Sequence, residues 1–329
     1  MTEKTVETTI WNDGWIQVKI PLPFSLKWVN SYLLPEENGC YTLIDPGLRT
    51  EEAISAWDEA LRKHGIGMKQ IIRIILTHQH PDHYGLAGYF QELTGAPVYL
   101  SSRSHQYALR SWGEDSHLDD EIADLFTLHG MPSALALAVK ENFSGFVNHV
   151  TPHPTVSYIE AGGKMKFGGL EWQLIDAPGH ATGQLSFYEP INGWMLCGDQ
   201  VLPRITPNVS IVPGEEADPL HSFLMSLENL RQYDVRMAFP GHRDPFAEFA
   251  RRIDELQQHH ARRLDQMCQI LVEPLSAFAL CEMTFGKRLR DNPHNLRFGM
   301  AEILAHLFYL ERRGRVIRTG TSEVYFQAT

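Results

Sequence analysis

The sequence predicts an α/β protein that carries a small separate unit at its C-terminal end. Three observations support this. Apolar strand-like runs alternate with a helical stretch through the first hundred residues. Two glycine-turned hairpins follow beyond residue 160, and the last sixty residues change to helices closed by a short hairpin.

"WIQVKI" (Trp15–Ile20), "WVNSYLL" (Trp28–Leu34) and "CYTLIDPG" (Cys40–Gly47) are β-rich and punctuated by Pro, Gly and Asn. Residues 51–64 place Ala53, Ile54, Trp57, Ala60 and Leu61 on one helical face, with Gly65 as the stop. "IIRIIL" (Ile71–Leu76) reads as a buried strand, Tyr84–Leu93 as a helix and "APVYL" (Ala96–Leu100) as another strand. Residues 101–154 break this alternation, with helical stretches at Asp119–Leu128 and Ala134–Phe143. That is long for a mere connection and reads as a helical insertion. Hairpins turning at Gly168-Gly169 and Asn192-Gly193 come next. An amphipathic helix (Asp218–Tyr233), a short strand in "RMAFPGH" and a long charged helix (Pro245–Met267) follow. Met300, Ile303, Leu304, Leu307 and Phe308 then form an apolar helical stripe, and "RGRVIRTGTSEVYFQ" reads as two strands joined at Gly320. Helices followed by such a hairpin give a winged-helix-like unit. The expected division is 1–250 and 251–329.

Composition limits the function. The chain has 329 residues, 43% of them hydrophobic, enough for a sizeable core. A net charge of −11 argues against a surface devoted to nucleic acid. The polar start "MTEKTVETTI" lacks a secretory apolar stretch, and no apolar run approaches the ~20 residues that span a bilayer. Four cysteines without a CxxC pair argue against a disulfide framework, so a reducing cytoplasm and no membrane association are expected.

The chemistry is concentrated in "THQHPDHYG". His78 and His80 stand two apart on the loop leaving a buried strand, with Asp82 and His83 next. Imidazole and carboxylate at this spacing are ligands for a divalent cation such as zinc. Elsewhere, His180 lies in "DAPGHATG", Asp199 in "LCGDQ" and His242 in "FPGHRD", each after a strand-like run and beside a glycine. The other histidines from His105 to His306 fall outside these contexts and read as structural or surface residues, and Cys197 reads as a buried strand residue.

These seven residues in this order resemble the metallo-β-lactamase-fold hydrolases over roughly residues 10–245, together with "LIDPG", whose Asp45 resembles that family's supporting aspartate. The Asp82-His83 pair, and Asp199 in place of cysteine, are similar to the glyoxalase II and lactonase branches. The resemblance implies an αββα sandwich holding two divalent ions per chain, zinc first, with manganese or iron as alternatives. It assigns His78, His80 and His180 to one ion, Asp82, His83 and His242 to the other, and Asp199 to both. It further implies a bridging hydroxide that attacks a small acyl substrate (thioester, ester or lactone), with Asp82 passing the proton to the leaving group. Asp45 then orients a ligand imidazole.

The two-domain layout, carried by "AHLFYLERRGRV", resembles β-lactamase-like proteins with an associated winged-helix domain. That group includes ester or thioester hydrolases and an endoribonuclease-like branch. A nuclease or phosphodiesterase using the same metals is therefore the main alternative, with Arg312, Arg313, Arg315 and Arg318 as its phosphate grip. An iron-dependent oxygenase of the persulfide type is a further one. The resemblance also implies a substrate lid in the insertion at 101–154, where Trp112 and Phe143 are expected to touch substrate, while Arg204, in the proline-rich loop after Asp199, is expected to clamp an anionic group. The apolar insertion also makes a homodimer an expectation.

Overall fold

The computed structural model describes residues 6–11 and 14–329; the first five residues of the polar N-terminal stretch lie outside it. A first sheet holds seven strands in sequence order: β1 (Thr8–Ile10), β2 (Ile16–Pro21), β3 (Trp28–Pro35), β4 (Tyr41–Ile44), β5 (Ile71–Ile75), β6 (Val98–Leu100) and β7 (Val156–Tyr158). The first four pair antiparallel, and β4 to β7 run parallel. The second sheet has β8 (Lys164–Phe167), β9 (Leu170–Asp176), β10 (Leu185–Glu189), β11 (Trp194–Gly198) and β12 (Met237–Pro240), in the order β12-β11-β10-β9-β8. Its strands pair antiparallel except β11 with β12.

Strand alternation divides the core in two. On β3, Tyr32 and Leu34 join Ile44, Ile75, Trp172, Phe187, Leu196 and Phe239 in a layer built from both sheets. Val29 and Leu33, one residue out of phase, face the opposite way into the layer shared with the helices. The period of two thus gives each strand one face toward the partner sheet and one toward helices, which is the αββα order. Cys197 follows the rule, pointing from β11 into the helical layer, where burial pushes its thiol pKa up.

Helix α1 (Glu51–His64) has the limits its sequence predicts: the Thr50 hydroxyl accepts from Ala53 N at 3.0 Å, and Gly65 closes it at φ 66°. The helix expected over Tyr84–Leu93 is split into α2 (Pro81–Tyr84) and α3 (Ala87–Thr94). The break falls at Gly85-Leu86, where Leu86 leaves helical geometry, and a Cβ at Gly85 would lie 2.4 Å from the His149 carbonyl oxygen, so only glycine fits where the backbone of the insertion approaches. The insertion contains α4 (Ser102–Trp112), α5 (Leu118–Leu128) and α6 (Ser133–Ser144). Of these α4 is not predicted, although Ser101 caps it by accepting from Ser104 N.

Two further helices, α7 (Pro219–Leu230) and α8 (Phe249–Ile270), cover the second sheet, and the expected division after residue 250 falls in the first turn of α8. The C-terminal part consists of β13 (Leu275–Ser276), α9 (Ala277–Phe285), α10 (Pro293–Arg312), β14 (Val316–Thr319) and β15 (Tyr325–Ala328). Its strands form a small sheet in the order β13-β15-β14, and α10 packs on both α6 and α7. No helix among the described residues is long and apolar enough to cross a membrane.

The seam between α8 and α10 contains a buried histidine pair. His306 Nδ1 bonds the Glu302 carbonyl at 2.7 Å, leaving its Nε2 to accept from His260 Nδ1–H at 3.0 Å. Burial lowers the His306 pKa to about 4 and that of His260 to about 2. Both are depressed below the unfolded value, so the stability they carry is present above pH ~6.5 and is lost as pH falls toward 4. Chemical denaturation of metal-stripped protein is expected to show a loss on the order of 1–2 kcal/mol per ring between pH 7 and pH 5. His306→Gln, which cannot titrate, is expected to flatten that dependence; an unchanged slope would count against it.

Candidate metal centre

The ends of five strands converge on one edge of the sandwich. The loop after β5 carries His78 and His80, and α2 immediately follows with Asp82 and His83. His180 follows β9, Asp199 follows β11, His242 follows β12 and Asp45 follows β4. All seven residues assigned as ligands from the sequence meet there.

Their atoms form three overlapping groups, each with ligand atoms within 4.8 Å of one another: His78, His80 and His180; Asp82, His83 and His242; and His78, His83 and Asp199. Asp199 lies between the first two. Its Oδ2 is 3.2 Å from His242 Nε2 and 3.7 Å from His180 Nε2, and its Oδ1 is 3.5 Å from His83 Nε2. Asp82 Oδ2 is 3.1 Å from His242 Nε2.

The far side of each ring is tied down. His180 Nδ1 donates to the Asn208 carbonyl at 2.8 Å, His242 Nδ1 to the Trp28 carbonyl at 2.9 Å, and His83 Nδ1 to Asp45 Oδ2 at 2.9 Å. Asp45 also accepts from the Thr77 amide at 2.8 Å and the Thr77 hydroxyl at 2.7 Å, while that hydroxyl meets His78 Nδ1 at 2.9 Å. One carboxylate therefore orients two rings, directly and through Thr77, a residue the sequence reading missed. Asp45 adopts φ 48°, a left-handed conformation that a short polar side chain tolerates better than most.

With their Nδ1 atoms engaged, His83, His180 and His242 aim Nε2 inward. These three nitrogens and Asp199 Oδ1 are buried with no hydrogen-bond partner. Orphaned acceptors facing one another at this spacing fit divalent cations, because each unpaired buried polar atom otherwise carries a desolvation penalty. The electrostatics agree. Burial pulls the His242 pKa down, but Asp199 and Asp82 outweigh it and hold the ring up at about 10. His83 is raised in the same way, against burial, by Asp199, Asp45 and Asp82. Burial also opposes ionisation of Asp82 and Asp199, yet the imidazoles around them keep both carboxyls below the usual range. The Asp82-Asp199 side of the cluster thus favours positive charge, whereas burial pushes His78, His80 and His180 toward the neutral form in which an imidazole can ligate a metal.

The centre opens into a cavity of about 260 Å³ bordered by His80, Asp82, His180, Asp199 and His242. Tyr107, Trp112, Phe143 and Phe146 from the insertion line it, as does Phe24 from the β2–β3 loop. Trp112 and Phe143 stack at 4.6 Å. Arg204 requires a correction: it is exposed, takes φ 66° and does not line the cavity, because the loop turns outward there while Leu202, Ile205, Thr206 and Pro207 face in. The arginine that lines the cavity is Arg297 on α10, accompanied by His294. Neither is among the residues expected from the sequence, where His294 reads as structural or surface.

Comparison with known proteins gives the same picture. Residues 29–242 match the Metallo-beta-lactamase superfamily, and residues 264–327 match "Metallo-beta-lactamase-like, C-terminal domain". A Bacillus subtilis (strain 168) protein named "Probable metallo-hydrolase YqjP" is 29% identical over 305 residues, covering 90% of this chain and 92% of that one. A crystal structure of a metallo-beta-lactamase family protein from Thermus thermophilus superposes with a TM-score of 0.86 at 32% identity, over 96% of this chain and 98% of that one. A hydroxyacylglutathione hydrolase of Legionella pneumophila (strain Paris) is 40% identical over 104 residues, 31% of this chain and 38% of that protein. The chain belongs to the metallo-beta-lactamase superfamily, with the C-terminal domain of metallo-beta-lactamase-like proteins attached.

Proposed function

We propose that the protein is a dinuclear-metal hydrolase of a small acyl substrate: a thioester, an ester or a lactone. The observation that carries this reading is the pair of ligand groups on either side of Asp199, with their unpartnered atoms facing an aromatic-walled cavity. His78, His80 and His180 would hold one cation, Asp82, His83 and His242 the other, and Asp199 both. Zinc suits this donor set. When bound, the cations supply Lewis acidity, lowering the pKa of water toward ~7 and polarising a carbonyl oxygen.

The chain's own residues do the rest. Asp45 and Thr77 hold His83 and His78 in fixed orientations. Asp82 borders the cavity with its carboxyl kept ionised, against burial, by His83 and His242. It is therefore placed to take a proton from the attacking water and pass it to the departing thiolate or alkoxide. The aromatic wall excludes water from the acyl portion and gives it an apolar surface. The partial match to a hydroxyacylglutathione hydrolase supports an acyl substrate. Four free cysteines fit a reducing, cytoplasmic setting.

The nuclease alternative is weakened, because three of its four expected phosphate-gripping arginines have carboxylate partners while Arg312 stands exposed. Arg313 pairs with Asp218 at 3.0 Å, Arg315 with Asp265 at 2.8 Å and Arg318 with Glu311 at 2.9 Å. Elemental analysis of the purified protein is expected to give about two zinc ions per chain. A panel of thioesters, esters, lactones and phosphodiesters should then show turnover among the acyl compounds. Asp82→Asn should lower kcat roughly 10²–10⁴-fold. Turnover confined to phosphodiesters, or iron as the bound metal with oxygen consumption, would overturn the reading.

A further inference from the structure

Arg297 is the unusual charge in this molecule. It lies on α10, half-buried and lining the cavity that opens from the metal centre. Its guanidinium sits 4.3 Å from the Phe298 ring centroid and 5.3 Å from that of Phe143. Among the described residues no carboxylate lies within ion-pair distance of it, and its buried Nε has no hydrogen-bond partner. The other arginines nearby are satisfied: Arg110 pairs with Glu121 and Glu215, and Arg263 with Glu302. Glu215 and Glu216 also line the cavity, but Glu215 is held by Arg110 and Glu216 by the Ser222 hydroxyl.

An unpaired cation that is half-buried, with its Nε fully shielded, costs the fold free energy, whereas a planar guanidinium flanked by aromatic rings is a pre-arranged fork for a carboxylate. His294, one helical turn earlier on α10, stacks on Phe24 at 4.4 Å and leaves its own Nδ1 buried without a partner. This face of α10 therefore presents two polar groups to the cavity with nothing from the protein to bond them. The apolar wall formed by Phe24, Trp112, Phe143 and Phe146 belongs to the same cavity as the metal ligands.

We propose that Arg297 receives a carboxylate of the substrate. The compound hydrolysed at the metal centre is then itself an acid: an ester, thioester or lactone whose free carboxylate is separated from the scissile carbonyl by an apolar segment. The substrate class rests on the hydrolase reading above; the anion site on α10 does not. In this arrangement the C-terminal domain takes part in selecting the substrate by docking one helix over the catalytic cavity.

The test uses metal-loaded, full-length protein and a graded set of probes. Binding of glutarate, adipate, pimelate and suberate is compared with that of their monomethyl esters by calorimetry, in wild type, Arg297→Met and Arg297→Lys. At one chain length or more, the diacid is expected to bind the wild type roughly tenfold or more tightly than its monoester, as a charge-assisted two-point contact should. Arg297→Met should abolish that gap, while Arg297→Lys, which keeps the charge and the fold but not the fork, should retain part of it. In parallel, kcat/KM is measured on paired aryl esters with and without a terminal carboxylate, and the preference for the acid should collapse in Arg297→Met. A diacid that gains nothing over its monoester in wild type, or gains equally in all three proteins, overturns the proposal. If esters are cleaved without preference and no diacid gap appears, the anion site is wrong and the hydrolase reading stands. If nothing acyl is cleaved but the gap depends on Arg297, the hydrolase reading fails and the anion site stands.

Discussion

Asp199→Ala is expected to remove the ligand proposed to be shared by both metals and to reduce hydrolysis on the order of a thousandfold or more. The geometry explains why this substitution should cost more than loss of a single histidine. Asp199 reaches His242 at 3.2 Å, His83 at 3.5 Å and His180 at 3.7 Å, so it touches both histidine groups at once. Metal content by elemental analysis should fall from about two ions per chain to about one or fewer. Loss of fold would produce the same activity result, so the discriminating measurement is the gain in melting temperature on adding metal to stripped protein. Wild type should gain as ligand binding requires, whereas Asp199→Ala should gain little at the same metal concentration. In the stripped state the variant loses the carboxylate that holds His83 and His242 protonated, so both rings should titrate nearer neutrality. A variant that binds two metals normally would remove Asp199 from the bridging position.

The part of this site that was legible from sequence is the part with local signals. His78, His80, Asp82 and His83 lie within six residues, and His180, Asp199 and His242 each follow a recognisable strand, so chain order alone lines them up. Sheets were legible for the same reason: alternation on β3, β10 and β11 sorts their residues into the two core layers. What was not legible depends on contacts distant in sequence. Arg297 reaches the cavity because α10 docks on α6, and a charged residue one turn after His294 carries no local mark of that. Arg204 looked suited to the role because it follows Asp199 closely, but its backbone turns it to solvent. The split between α2 and α3 falls where the His149 carbonyl approaches Gly85, again a contact made across the fold. Strand β13 has two residues, too few for any periodicity to show.

Gly241→Ala is expected to disable the centre without touching a ligand. A glycine directly before a ligand is expected to give the backbone freedom for a sharp turn. That argument does hold for Gly179 before His180 and Gly198 before Asp199, which have φ of 108° and 50°. Gly241 is not among the positive-φ glycines, and its requirement is space. A Cβ there would lie 2.3 Å from Asp199 Oδ1 and 2.5 Å from His83 Cε1. Nor can the backbone retreat easily: Gly241 N donates to the Gly198 carbonyl at 2.8 Å, and its own carbonyl accepts from Asn30 N at 2.6 Å. One methyl group must therefore displace Asp199 and His83, or break the hydrogen bonds that join β3 and β11 to the loop. Overpacking of this kind costs about 1–3 kcal/mol. The functional effect should be larger, because both displaced groups belong to the proposed ligand set: a loss of turnover of roughly a hundredfold or more, with weakened metal retention. Gly145→Ala is the matched control, since a Cβ there meets nothing within 4 Å and the residue is already helical, at φ −60°. The control should keep wild-type metal content and activity. A Gly241→Ala protein that does the same would show that Asp199 and His83 can yield to a methyl group and still hold their ions, and the tight packing behind the ligands would then not be what fixes this centre.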